Sequence, residues 1–357
     1  MKISTDHNED VPFESKPSGG YEWWYFDAIS DDGEWSFVII FYIGNPFSPE
    51  YIQNIDVHSS KPDDHPAVSI SVYHNSKAEF YSFIEYSKND LKWDEEQKVL
   101  EIGNNKFKKS IETNDLYYQM KIDQLLESSH SFSAEIEFKS KTSNPELFQR
   151  TGECFQKHFW NLIQPKAEVK AKISIKGKGG IQKIDFKGLG YHDHNVGLEP
   201  MKNEFVDWYW GRLHFKKSTL VYYVMNRKNE QQHQAWLISN DNQKVLDEFH
   251  SVETEDAMSN FFGLSSAREI RLQSDDSEIT IQANSLLDNG PFYQRFKSSA
   301  IMNRGAELAV AEGITEFIYP NNIYKKLFWP AVRMRLRFAT KKPHWVQKFK
   351  MFYEWTW

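Results

Sequence analysis

A chain of 357 residues, 40% hydrophobic and 15% aromatic, holds enough apolar material for one large core or two ordinary ones, so two domains are expected. Its longest apolar run, Phe37–Ile43, is too short for a membrane-spanning helix, and the lone cysteine, Cys154, excludes an internal disulfide framework and a multi-cysteine zinc site. The net charge of −7 argues against bulk nucleic-acid binding.

From the amino terminus, Met1–Phe13 shows neither a basic start nor an apolar stretch, so no secretory leader is expected and the cytoplasm is the expected compartment. The aromatic run Tyr21–Phe26 alternates faces, with Trp23 and Tyr25 opposite Trp24 and Phe26. Period-two alternation recurs at Ala67–Tyr73, Phe132–Phe138, Val169–Ile175 and Val332–Phe338, each predicting a strand with one apolar and one polar face. Turn clusters at Asp31–Gly33, Lys61–Asp64, Gly177–Gly180 and Asp288–Pro291 punctuate these runs. Many short strands at this interval predict an all-β protein of antiparallel barrels or sandwiches. Helical patterning is weak at Pro145–Arg150 and Glu253–Phe262 and better at Lys342–Trp355, where Trp345, Phe349, Phe352 and Tyr353 recur at helical spacing. The polar connector Leu198–Asn203 divides the chain into residues 1–197 and 198–357. Charge is uneven: Asn321–Trp357 carries nine Lys/Arg against Glu354 alone. Such a basic, aromatic tail either docks on its own domain or meets an anionic membrane surface at the inner face.

The chemistry-bearing stretch is Gly188–Gly197, Gly-Leu-Gly-Tyr-His-Asp-His-Asn-Val-Gly, where polar groups crowd an otherwise apolar strand. In an extended strand Tyr191, Asp193 and Asn195 share one face and His192 and His194 the other. A carboxyl beside a phenol inside an apolar barrel is a candidate acid held protonated by desolvation; an Asx turn at a strand end is the equally weighted structural role. The paired histidines lack a third ligand at metal spacing, so no metal is expected, one histidine capping a turn and the other exposed. His158 and Trp160 share a face of Glu153–Trp160, an arrangement more often packing than catalysis. Cys154 has no basic partner in sequence and reads as a small core side chain. The indoles of Trp24, Trp208 and Trp210 suit a barrel core, or a pocket for a long apolar ligand that passes through a carbocation.

These segments resemble the carotenoid 1,2-hydratase family, also called hydroxyneurosporene synthases, of the lipocalin-like superfamily. Tyr21–Asp27 is similar to that family's opening strand, Gly190–Asn195 to its most characteristic motif, and Trp208–Arg212 to the strand that follows. Pro291–Arg295 extends a weaker similarity into the second half. The resemblance implies two consecutive lipocalin-like β-domains, few helices and no cofactor. It also implies a proton-donating aspartate at Asp193 with Tyr191, His158 and Trp160 as further catalytic residues. Trp24, Trp208, Trp210 and Val196 are the expected substrate-lining positions. Val196 departs from the family, which commonly has tryptophan there, and this puts substrate identity in question.

What the resemblance implies is hydration of a terminal isoprenoid double bond in a carotenoid or related polyene. Protonating such an alkene creates a tertiary cation, so the acid must be dry and aimed. Two alternatives stand beside it: a terpenoid cyclase or pericyclase using the same pocket, which Val196 favours by widening it, and a carrier that holds a hydrophobic ligand unaltered.

Overall fold

The computed structural model describes residues 1–55, 60–126, 130–142, 157–177, 180–228 and 230–356. Cys154 and the weak helix candidate at Pro145–Arg150 lie outside the described residues. The chain divides into two compact units, Met1–Pro200 together with Trp329–Trp357, and Met201–Phe328. The division falls inside the Leu198–Asn203 connector. The tail, expected as the end of the second domain, instead belongs to the first unit. Each unit is a curled, lipocalin-like half-barrel sheet.

The first unit contains β1 (Lys2–Ser4), β2 (Tyr21–Ser30), β3 (Trp35–Ile43), α1 (Pro49–Ile52), β4 (Ala67–His74), β5 (Lys77–Glu85), β6 (Leu91–Asp94), β7 (Val99–Ile102), β8 (Asn105–Glu112), β9 (Asp115–Leu126), β10 (His130–Lys141), β11 (His158–Gly177) and β12 (Gly180–Gly197). In the sheet, β5-β4-β3-β2 run as one antiparallel meander and β12 through β6 as another; β2 and β12 join them, and β1 pairs alongside β11. Phe26 of β2 packs against Tyr118 of β9 and Phe138 of β10 at 5.6 and 5.5 Å, and Phe80 of β5 stacks on Phe132 of β10 at 5.1 Å. None of these pairs joins neighbouring strands, so the face that carries them is the concave interior. On β8–β10 the opposite face is the exposed lysine and glutamate row that alternation predicts, whereas β2 and β3 are buried on both faces. That doubly buried stretch of outer face carries the site described below.

The second unit contains β13 (Phe205–His214), β14 (Ser218–Arg227), β15 (Gln231–Ser239), β16 (Val245–Glu248), β17 (Ser251–Glu255), β18 (Met258–Ser259), β19 (Ser265–Ser266), β20 (Glu269–Gln273), β21 (Ser277–Asn289), β22 (Tyr293–Arg304) and β23 (Glu307–Ile318). Nine of these form one antiparallel sheet around a core that includes Leu213, Leu220, Tyr222, Leu237, Leu272 and Ile281. The helix expected at Glu253–Phe262 is instead the end of β17, the short β18 and a turn: Glu253 and Thr254 pair with Arg271 and Ile270, and Met258 with Ser266, so tertiary pairing overrides a marginal helical period.

The tail reads differently from its pattern as well. Val332–Phe338 alternates like a strand, yet α2 (Trp329–Arg335) is helical, and only β24 (Leu336–Phe338) extends, parallel to β5. Within the helix Trp329 and Val332 are the buried positions, a helical spacing of three that the alternation does not show. The expected helix over Lys342–Trp355 is two short ones, α3 (Trp345–Lys348) and α4 (Lys350–Trp355), separated by an extended Phe349. Among the described residues no helix is long and apolar enough to cross a membrane.

Inside the first barrel, His192 and His194 meet the amino-terminal segment. Both are buried, which corrects the expectation of a turn cap and an exposed side chain. Asp10 accepts hydrogen bonds from Trp24 Nε1 at 2.8 Å and from the Tyr118 hydroxyl, and lies 3.1 Å from His194 Nδ1 and 3.5 Å from His192 Nε2. His194 Nε2 reaches Glu22 at 2.8 Å, and Glu22 pairs in turn with Lys16 at 2.8 Å. Rings stack behind these contacts, Trp24 on His194 at 4.4 Å and Phe26 on His192 at 3.9 Å. Because His194 spends both ring nitrogens on carboxylates, the pair is an ion-paired clasp rather than a ligand set.

Burial alone would raise the Asp10 carboxyl, but hydrogen bonds from the two histidines hold it well below the usual carboxylate range. Burial alone would lower His194; its bonds to Asp10 and Glu22 push it up to about 9. Burial lowers His192, against a smaller opposing pull from Asp10. The raised His194 contributes stability that is complete below its ordinary value of 6.5 and lost as pH rises through about 9. The lowered His192 acts oppositely: below its ordinary 6.5 the unfolded chain takes up a proton that the folded one refuses, and stability falls. Thermal melts are therefore expected to peak near pH 6.5 and to fall toward pH 9, with His194 contributing on the order of 3 kcal/mol to that alkaline loss. His194→Gln should melt lower throughout and flatten the alkaline limb; an unchanged slope would show that the histidine does not carry it.

Candidate active site

The site grows from the hairpin of β11 and β12. Across it Trp160 pairs with Asn195, Leu162 with Asp193 and His158 with Gly197, while on the other side of β12 Asp193 pairs with Tyr25 and Asn195 with Trp23. Directly opposed residues share a face, so Tyr191, Asp193, Asn195, His158, Trp160, Tyr21, Trp23 and Tyr25 all stand on the outer face of this sheet. The pairing slips between Leu162 and Ala167, around Pro165, which has no N–H to give the ladder. Gly197 is needed where it stands, because a Cβ there would come within 2.2 Å of the Tyr21 ring.

Three donors converge on the carboxylate of Asp193. Trp160 Nε1 donates to Oδ2 at 2.7 Å and the Tyr191 hydroxyl to the same oxygen at 2.8 Å. Asn195 Nδ2 donates to Oδ1 at 2.8 Å. Asp193, Tyr191 and Trp160 are all buried, and Tyr25 packs edge-on against Tyr191 at 6.2 Å. The carboxyl is thus fixed in orientation from both oxygens by groups that are themselves locked in the sheet. His158, also buried, lies further along the same face: its Nδ1 is 2.8 Å from the Tyr21 hydroxyl and its Nε2 is 3.8 Å from Glu199. Tyr21 stacks on Trp23 at 4.9 Å.

Of the catalytic candidates read from sequence, Asp193, Tyr191 and Trp160 are in direct contact, and His158 joins the same face through Tyr21. Trp160 plays a part that was not foreseen, as a hydrogen-bond donor to the Asp193 carboxyl group. Two of the expected substrate-lining residues are misplaced. Trp24 lies on the interior face, bonded to Asp10, and Val196 pairs with Glu22 and Phe159 on that same side. Val196 therefore does not widen a pocket beside Asp193, and the argument it lent to a cyclase lapses. The aromatics of β2 that do share the face of Asp193 are Tyr21, Trp23 and Tyr25. Trp208 and Trp210 belong to the second unit, where they alternate with the core residue Leu213 and with Tyr209, which packs against that core, and so stand on the outer face of its sheet. Asn195, a direct partner of the Asp193 side chain, and Tyr21 were missed as site residues, although Asn195 shares Asp193's period-two parity.

A family model described as carotenoid hydratase CrtC matches residues 39–342. The chain is 28% identical to a protein named hydroxyneurosporene dehydrogenase from Chlorobaculum tepidum, with 94% of this chain and 92% of the relative covered. It is 25% identical to the acyclic carotenoid 1,2-hydratase of Thiocapsa roseopersicina over 59% of this chain and about half, 49%, of that protein. Among solved structures, CghA bound to Sch210972 superposes with a TM-score of 0.60 at 10% identity, covering 85% of this chain and 89% of CghA, a likeness of fold alone. With most of its length matched by that model, the chain belongs to the carotenoid hydratase family of hydro-lyases.

Proposed function

We propose that the protein adds water to a terminal isoprenoid double bond of an acyclic carotenoid or a related polyene, with Asp193 as the proton donor. The observation that carries this reading is the convergence of Trp160, Tyr191 and Asn195 on one buried carboxyl group in a chain of this family. A carrier needs no such constellation.

Burial and the three donors act at different points of the reaction. Before proton transfer, burial keeps bulk water away from the Asp193 carboxyl group, which in its protonated form can protonate an unactivated alkene. As the proton leaves for the alkene carbon, negative charge develops on Asp193 just where three fixed dipoles already point, so they stabilise the transition state more than the ground state. The tertiary cation left on the substrate faces aromatic rings, with Trp160 and Tyr25 on the same sheet face as the acid. Water adds to the cation, and the proton it sheds returns to the Asp193 carboxylate, restoring the acid. One alkene and one water are consumed, one tertiary alcohol is formed, and no step needs a further reactant or cofactor.

Asp193→Asn keeps the side-chain volume and can present its carbonyl to Trp160 and Tyr191, so the variant should fold; hydration, read by mass as the gain of one water, should fall at least about 100-fold. Turnover retained at the wild-type rate would remove Asp193 from the mechanism. Tyr191→Phe and Trp160→Phe each delete one donor to Oδ2 and should each cost about tenfold in kcat, with the double variant losing less than the product of the two. Strictly multiplicative losses would mean that the two donors do not act through a shared carboxyl.

A further inference from the structure

The carboxy-terminal helices are attached to the first barrel in an inverted sense. An amphipathic helix ordinarily buries its aromatic stripe and exposes its amides. Here the amide is inside: Gln347 is buried, and its Nε2 donates to the carbonyls of Arg333, Met334 and Leu336 at 3.3, 3.0 and 3.0 Å. The Arg337 guanidinium donates to the Gln347 carbonyl at 3.1 Å and sits over the Tyr353 ring at 4.9 Å, and Tyr353 in turn packs against Tyr81 of β5 at 6.4 Å. These contacts set the rotation of α3 and α4.

With that rotation, the remaining aromatics face solvent. Trp345, Phe349, Met351, Phe352 and Trp355 are 59, 57, 72, 43 and 82% exposed. Phe352 touches both Trp345 and Phe349 at 5.9 Å between ring centroids, so at least these three form one patch rather than scattered singles. Exposed Lys342 and Lys348 stand in the same fifteen-residue stretch, with Glu354 its sole acid and Lys341 paired to Glu50. Indoles and phenyl rings beside lysines match a lipid headgroup layer, in which the rings sit at the acyl boundary and the ammonium groups meet phosphate.

We infer that this face is a docking surface for an anionic membrane, committed to lipid by the joint presence of projecting rings and the exposed lysines Lys342 and Lys348. The surface stands independently of the chemistry assigned to Asp193, because binding is measured without substrate. The test uses the full chain and sedimentation with vesicles of phosphatidylglycerol and phosphatidylcholine, against vesicles of phosphatidylcholine alone. The wild type should partition onto the anionic vesicles and be released by added salt. The exposed triple variant W345S/F349S/W355S should partition at least tenfold more weakly with an unchanged melting temperature. The charge-reversed K342E/K348E, which leaves the rings in place, should lose most of the preference for anionic lipid and its salt dependence. Partition no better than onto neutral vesicles, or a triple variant that binds like the wild type, would overturn the assignment. So would a wild-type dimer that the triple variant dissolves while vesicles bind neither, since the occupant would then be a second copy.

Discussion

One strand, β12, separates two polar systems by the two-residue pleat. His192 and His194 turn inward to Asp10 and Glu22, while Tyr191, Asp193 and Asn195 turn outward to Trp160 and the aromatics of β2. Both systems are buried, and a buried polar group is tolerated only when it is bonded. The two sets therefore constrain each other: a slip of one residue would send the histidines outward and the carboxyl inward, leaving charges unpaired on both faces. Register at the site is held by electrostatics as much as by apolar packing.

The inner system explains why so much charge lies in a barrel core. Asp10 arrives on the amino-terminal segment and is met by an indole, a phenol and two imidazoles, and Glu22 is met by His194 and Lys16. The cluster works as a clasp that closes the barrel interior and fixes β12 from behind. The outer system is then free to be chemical, because the backbone that presents Asp193 cannot shift without breaking the inner one. The 2.7 and 2.8 Å bonds from Trp160 and Tyr191 refine an aim already set by the sheet.

Much of this was legible in the sequence. Alternation disclosed the strands at Ala67–Tyr73, Phe132–Phe138 and Val169–Ile175, and the parity of Gly188–Gly197 told which motif residues travel together. What parity cannot tell is which parity of one strand faces which parity of its neighbour. The indole of Trp24 and the family's tryptophan at the position of Val196 point to the pocket, but the pairings of Asp193 with Tyr25 and of Val196 with Glu22 put both on the other side. The clasp was invisible for a related reason: Asp10 lies more than 180 residues from His192, and nothing local in Asp-Val-Pro marks it as a partner. In the tail, the alternation of Val332–Phe338 concealed the end of a helix that buries Trp329 and Val332, three positions apart.

Protonation of carbon by an acid of the enzyme is the central claim, and turnover of an acyclic carotene in deuterium oxide tests it most directly. The account predicts a product heavier by one D₂O, with one deuterium bonded to the carbon next to the new carbinol carbon, because the proton on Asp193 exchanges with solvent before each turnover. A product of the substrate's own mass, or one with deuterium on the hydroxyl alone, would contradict it.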